Sequence, residues 1–121
     1  MNKPVLYVDD EVAMLDLIKV LLEAEGYAVL TAANPDEALQ KASGKTFGLI
    51  ILDVNLAGDS GLMLMNFMKH NHNGVPVILY TGGDHEQSAM DTMLELGATK
   101  YVHKSNGSEL VAAARQLYPI T

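Results

Sequence analysis

The sequence predicts an α/β fold in which five short strands alternate with five helices. The strands form one parallel sheet with helices on both faces. Three observations lead there. Short apolar runs recur five times, stretches of helical spacing separate them, and those stretches carry their own start and stop signals.

The runs are Pro4 to Val8, Tyr27 to Thr31, Phe47 to Leu52, Pro76 to Tyr80 and Lys100 to His103. The first, third and fourth are nearly continuous rather than alternating, which suits strands buried on both faces. The first helix is predicted from Val12 to Glu25. It puts Leu15, Ile18 and Leu22 on one face and Asp16, Lys19 and Glu23 on another. Gly26 follows as a left-handed cap. The second, Pro35 to Ser43, begins after Asn34, with proline at the first helical position. The third spans Ser60 to His70, and the fourth Asp84 to Leu96 with Gly97 behind it. The fifth spans Ser108 to Tyr118 and is stopped by Pro119. The crossovers between parallel strands are expected to be right-handed.

A length of 121 residues suits one domain, expected over residues 1–121. With 49% apolar and 19% charged residues the chain is globular rather than disordered. Eight Lys and Arg against 15 Asp and Glu give a net charge of −7, the wrong sign for direct nucleic-acid binding. The absence of cysteine excludes disulfides, thiol catalysis and Cys-ligated metals. No apolar run reaches the roughly 18 residues of a membrane span. The first residues run into charge too soon for a signal peptide. The expectation is a soluble, cytoplasmic domain that binds neither nucleic acid nor membrane.

In an open parallel sheet, ligands bind beyond the carboxyl ends of the strands. Asp9, Asp10 and Glu11 follow the first strand and Asp53 the third. Thr81, Gly82 and Gly83 follow the fourth, and Lys104 the fifth. Taken singly, each has an ordinary reading. A strand-end Asp is a turn residue, Thr81 a helix cap, and Lys104 a solvated surface lysine. Their joint occurrence at four strand ends points to chemistry. Carboxylates at short range repel, and a hard cation such as Mg²⁺ relieves the conflict while keeping positions for water or phosphate. Lys104 offers a point charge to a phosphoryl oxygen, Thr81 offers a hydrogen bond, and Gly82 and Gly83 leave room and free N–H groups. The set reads as a phosphoryl-transfer site with a carboxylate as nucleophile.

In this order and spacing the residues resemble the receiver domain of bacterial response regulators, from Val5 to about Leu117. The resemblance rests on several pieces: the Asp9-Asp10 pair, Asp53 after a buried strand, and the Asp53-x-x-Leu56-x-Gly58-x-x-Gly61 turn. Thr81, the Leu96-Gly97-Ala98 segment and Tyr101-x-x-Lys104 complete it. It implies a flavodoxin-like (βα)5 sheet in the strand order 2-1-3-4-5. It implies that Asp53 accepts a phosphoryl group from a phospho-histidine of a histidine kinase or histidine phosphotransfer protein. Asp10, Asp53 and the Asn55 carbonyl would hold Mg²⁺, with Asp9 acting through water or as a weaker ligand. Lys104 and Thr81 would hold phosphoryl oxygens. Tyr101 would then change rotamer and couple the site to the surface of the fourth helix, fifth strand and fifth helix, a two-state population shift. Such a protein is a signalling switch rather than an enzyme acting on a separate substrate.

The sequence departs from the family pattern at a few positions. Ala57 and Ser105 stand where proline is common, and Gly82 where alanine is common. None of these changes removes a reacting group. Asn55 and Gly83 sit where the family sets the lifetime of the acyl phosphate. Met1 suggests a true N-terminus, whereas Pro119-Ile120-Thr121 reads equally as a natural end or as the start of a linker to an output domain.

Two apolar pairs stand apart from the motif. Met63 and Phe67 are four apart on the third helix and are expected to form a partner or self-association patch. Met14 and Leu17 lie beside the acidic site, on the face that in the family docks the phosphodonor. Tyr7 and Tyr80 read as core packing. His70, His72, His85 and His103 are assigned no role. The competing functions are an unphosphorylated receiver-like scaffold and an Mg²⁺-dependent phosphatase with Asp53 as nucleophile. The phosphatase reading suffers because Asn55 stands where its second, acidic residue belongs. A flavin carrier is disfavoured because Asp9-Asp10-Glu11 would repel the FMN phosphate.

Overall fold

The computed structural model describes residues 3–53, 60–71, 74–81, 91, 94, 95, 97–104 and 107–120, with residues 60–62 described by backbone alone. The strands are β1 (Val5–Val8), β2 (Val29–Ala32), β3 (Leu49–Leu52), β4 (Val77–Thr81) and β5 (Lys100–His103). The described helices are α1 (Val12–Ala24), α2 (Pro35–Ala42), α3 (Ser60–Asn71) and α4 (Gly107–Leu117). The helix predicted over Asp84 to Leu96 lies mostly outside the described residues; 91, 94 and 95 are helical.

The five strands are parallel and lie in the order β2-β1-β3-β4-β5. The position of each strand follows from its composition. The three continuous apolar runs, β1, β3 and β4, are buried at every residue and occupy the middle. The edge strands β2 and β5 are less apolar and half open, with Tyr101 and His103 of β5 both exposed.

Period-2 alternation divides the side chains between two cores. Leu6, Val8, Ile50, Leu52, Val77 and Leu79 meet Ala38 and Ala42 of α2 and Leu64, Met65 and Met68 of α3. On the other face Val5, Tyr7, Leu49, Ile51, Ile78, Tyr80 and Val102 meet α1 through Leu15, Ile18 and Leu22. The same face meets α4 through Leu110, Ala113 and Ala114. The caps read from the sequence are in place. Asn34 Oδ1 accepts from Glu37 N–H at 2.8 Å, and Gly26 ends α1 at φ 101°.

At the amino ends of the strands, α4 is clasped to the sheet by tyrosines. Tyr27 donates to the Tyr118 carbonyl at 2.6 Å, and Tyr118 donates to the Lys3 carbonyl at 2.7 Å. The Tyr118 ring lies over Gly48, where a Cβ would stand 2.1 Å from Cζ. Gly48→Ala is therefore expected to cost about 2 kcal/mol by overpacking. A denaturant titration checks this, and in a Tyr118→Ala background the added penalty is expected to fall away.

Candidate functional site

Register brings the acidic residues together. Val8 and Leu52 are partners on the adjacent strands β1 and β3, so the residues that follow, Asp9 and Asp53, emerge side by side. The backbone holds both in line: Asp9 N–H donates to the Ala32 carbonyl and Asp53 N–H to the Val8 carbonyl, each at 3.0 Å. Thr81 ends β4 and pairs with His103 of β5, and the next N–H, that of Lys104, donates to the Thr81 carbonyl at 2.9 Å. Asp9, Asp53 and Thr81 are fully buried.

The Lys104 ammonium stands at the centre. It lies 2.8 Å from Asp9 Oδ2, 3.1 Å from Asp53 Oδ2 and 3.1 Å from Glu11 Oε1. Its three N–H donors thus meet three carboxylates. Asp9 is held on its other oxygen by the Glu11 N–H at 3.0 Å, while Tyr7 donates to Oδ2 at 2.5 Å. Below, Tyr80 donates to the Lys104 carbonyl at 3.2 Å, and the Tyr7 and Tyr80 rings meet edge to face, 6.3 Å apart.

Ligand oxygens of Asp9, Asp10, Glu11 and Asp53 all lie within 4.8 Å of one another. Among the described residues four carboxylates share this corner with one ammonium, leaving a surplus of negative charge. The donors are all oxygen, two buried and two exposed. This set suits a hard divalent cation that retains water or phosphate on its open side, and Asp10, exposed at the rim, is free to turn toward it.

The electrostatics point the same way. Burial pulls the Lys104 ammonium down, but its hydrogen bonds to Asp9, Glu11 and Asp53 outweigh that and hold it above the ordinary lysine value. Burial, reinforced by the Asp9 carboxylate, pushes the Tyr7 phenol above its ordinary value. Unperturbed, these groups titrate at 10.5 and 10.0. Both folded values lie above the unfolded ones, so their stabilisation is complete below about pH 10 and is lost as pH rises beyond it. Melting temperatures across the alkaline range are expected to fall from about pH 10 upward, and to fall less steeply in Tyr7→Phe.

The other anticipated residues are more scattered. Tyr101 is partly exposed on β5, in register with Leu79. Leu17 and Met63 are about half exposed. Met14 and Phe67 instead lean into the two cores, so each expected apolar pair has one open member and one partly buried member. Asn55, with Leu56, Ala57 and Gly58, lies outside the described residues, as do Gly82, Gly83 and Ser105. One participant was missed in the sequence: Tyr7, which reaches Asp9. Glu11, placed at the strand end but given no role, reaches Lys104. The signal for Tyr7 was available: Asp9 lies two residues on, directly after the strand, where alternation keeps it on the same face, and a buried phenol needs an acceptor.

No described helix is long and apolar enough to cross a membrane. A family model described as the response regulator receiver domain matches residues 5–115. The chain is similar to the alkaline phosphatase synthesis transcriptional regulatory protein PhoP of Bacillus subtilis. The two are 38% identical over 104 residues, which cover 86% of this chain and 43% of that protein. It is also similar to the aerobic respiration control protein ArcA of Escherichia coli, 37% identical over 114 residues, 93% of this chain and 47% of that one. The chain thus spans less than half the length of these relatives. Among solved structures it is similar to a CheY-like receiver domain protein from Methanospirillum hungatei JF-1. The TM-score is 0.88 at 32% identity, covering 96% of this chain and 93% of that one. The response regulator protein TrrA from Thermotoga maritima, solved in complex with Mg²⁺-BeF, gives a TM-score of 0.83 at 36% identity, covering 95% and 98%. Parallel β2-β1-β3-β4-β5 topology, the acidic cluster at the strand ends and these matches together make the chain a member of the response regulator receiver domain family of two-component signalling.

Proposed function

We propose that this chain is the phosphoacceptor receiver of a two-component system or phosphorelay, a single receiver unit over residues 1–121 working in the cytoplasm. Asp53 takes a phosphoryl group from a phospho-histidine of a histidine kinase or histidine phosphotransfer protein. The observation that carries this reading is the place of Asp53. It is buried at a strand end, ion-paired to Lys104, and within 4.8 Å of three further carboxylates.

The step is a displacement at phosphorus. A bond forms between an Asp53 carboxylate oxygen and phosphorus, and the phosphorus–nitrogen bond of the donor breaks. The electron pair stays on the imidazole nitrogen, which takes up a proton. Asp10, Asp53 and the Asn55 carbonyl would hold Mg²⁺, which neutralises charge on the phosphoryl oxygens when bound. Lys104 turns its ammonium from the carboxylates to a phosphoryl oxygen, and Thr81 donates its hydroxyl to another. The altered charge at the strand ends then biases Tyr101 and the surface around β5 and α4 between two arrangements. Leu17 with Met14, and Met63 with Phe67, are the proposed partner surfaces.

Beryllofluoride, a phosphoryl mimic, tests the reading. Mg²⁺ alone is expected to raise the melting temperature, because it binds the folded cluster and not the unfolded chain. Beryllofluoride is expected to raise it further only when Mg²⁺ is present, and Asp53→Asn to lose that second rise. Wild-type protein that responds to neither addition would favour a scaffold that is never phosphorylated.

A further inference from the structure

Tyr7 is wholly buried, yet its hydroxyl is spent on the site rather than on the core. A buried phenol needs an acceptor, and a main-chain carbonyl serves. Tyr27, Tyr80 and Tyr118 each donate to such a carbonyl. Tyr7 instead donates to Asp9 Oδ2, the same oxygen that lies 2.8 Å from the Lys104 ammonium. Lys104 in turn reaches Asp53 Oδ2 at 3.1 Å. An unbroken chain of polar contacts therefore runs from the centre of the sheet through Asp9 and Lys104 to the phosphoacceptor.

The consequence concerns how Asp9 is oriented. Its two oxygens already take three protein donors: Tyr7 O–H, Lys104 N–H and Glu11 N–H. Lys104 has to exchange partners when charge arrives. The Glu11 N–H holds the other oxygen, Oδ1, from a backbone that opens α1, its carbonyl accepting from the Met14 and Leu15 N–H groups at 3.0 and 3.1 Å. On Oδ2, the oxygen shared with Lys104, the donor that stays in place when Lys104 moves is Tyr7, whose ring is packed in the core against Tyr80.

We infer that Tyr7 is a positioning residue for the phosphoryl chemistry. Its hydroxyl holds Asp9 in place as the anchor of Lys104, and so keeps the ammonium and the acidic cluster in register when Lys104 moves. This rests on the phosphoacceptor reading above.

Tyr7→Phe removes one oxygen and keeps the ring. Mg²⁺ affinity, measured by calorimetry on the whole chain, is expected to weaken about tenfold, as for the loss of an outer-shell partner. The maximal rate of phosphorylation by acetyl phosphate is expected to fall by a similar factor, about tenfold, with KM for the donor unchanged. Two further variants separate positioning from a general loss of stability. Tyr27→Phe removes a buried hydroxyl at the far end of the sheet and is expected to leave Mg²⁺ affinity as in wild type. Asp9→Asn with Tyr7 intact also removes a charge from the cluster and is expected to lose at least as much, and adding Tyr7→Phe to it is expected to cause no further change.

Tyr7→Phe with wild-type Mg²⁺ affinity and rate, in a wild type that shows both activities, overturns the role of Tyr7 alone. So does a Tyr7→Phe effect of equal size with and without Asp9→Asn. Wild-type protein that binds no Mg²⁺ and takes up no phosphoryl group overturns the phosphoacceptor reading itself, and this inference with it.

Discussion

Lys104→Ala is expected to cost about 3 kcal/mol of stability in metal-free buffer, the scale for removing one partner from a buried ion pair. The reason is local. Asp9 and Asp53 are fully buried, and the Lys104 ammonium, itself only 9% exposed in its side chain, lies within 3.1 Å of both. Taking it away leaves two buried carboxylates facing each other without their cation. Mg²⁺ can supply the missing charge, so the variant is expected to gain more stability from millimolar Mg²⁺ than wild type does. Urea titrations with Mg²⁺ and with a chelator check both parts. A variant as stable as wild type without metal would mean that the lysine does not hold the carboxylates together.

Asp10→Asn is expected to do the opposite. Asp10 is exposed at the rim of the same cluster, and no ion pair joins it to a cation among the described residues. In metal-free protein it adds like charge beside Asp9, Glu11 and Asp53. Neutralising it is expected to raise the melting temperature by about 4 °C, the shift that corresponds to about 1 kcal/mol in a domain of this size. In Mg²⁺ the order is expected to reverse, because Asp10 is a proposed ligand and the variant would gain little from the metal. A scan of both proteins with and without Mg²⁺ reads the crossing of the two effects. Destabilisation of Asp10→Asn in chelator would contradict the picture of a repulsive cluster. Asp53 is a different case, since its loss would also strip one arm from Lys104.

The fold was legible because its signals are local and repeated. Continuous runs such as Leu49 to Leu52 mark strands buried on both faces, while the strand order, with β2 and β5 at the edges, was implied by the family resemblance rather than by composition. Parallel pairing then does the work of assembly, since residues that follow partnered strand ends must meet. For that reason Asp9, Asp53 and Lys104 could be placed at one site from the sequence.

What was not legible depends on reach and on three-dimensional packing. Nothing in the spacing says that Lys104 spans Asp9, Glu11 and Asp53 at once, because a long flexible side chain has many possible partners. Tyr7 is hidden in the sequence because its ring alone accounts for its place among the core residues of a buried strand. The need for Gly48 is invisible in the sequence, because the ring that lies over it belongs to Tyr118, 70 positions later. Helix spacing predicted Phe67 and Met63 to share a face, but did not show that the larger ring reaches back to the core while Met63 stays open.

Intact-mass spectrometry after incubation with acetyl phosphate tests the central claim most directly. Wild type and Asp53→Asn are compared with Mg²⁺ and with a chelator. The expected result is a single phosphoryl adduct on wild type that requires Mg²⁺ and is absent from Asp53→Asn. An adduct that persists in Asp53→Asn, or none on wild type with Mg²⁺ and donor in excess, would contradict the assignment of Asp53 as the phosphoacceptor.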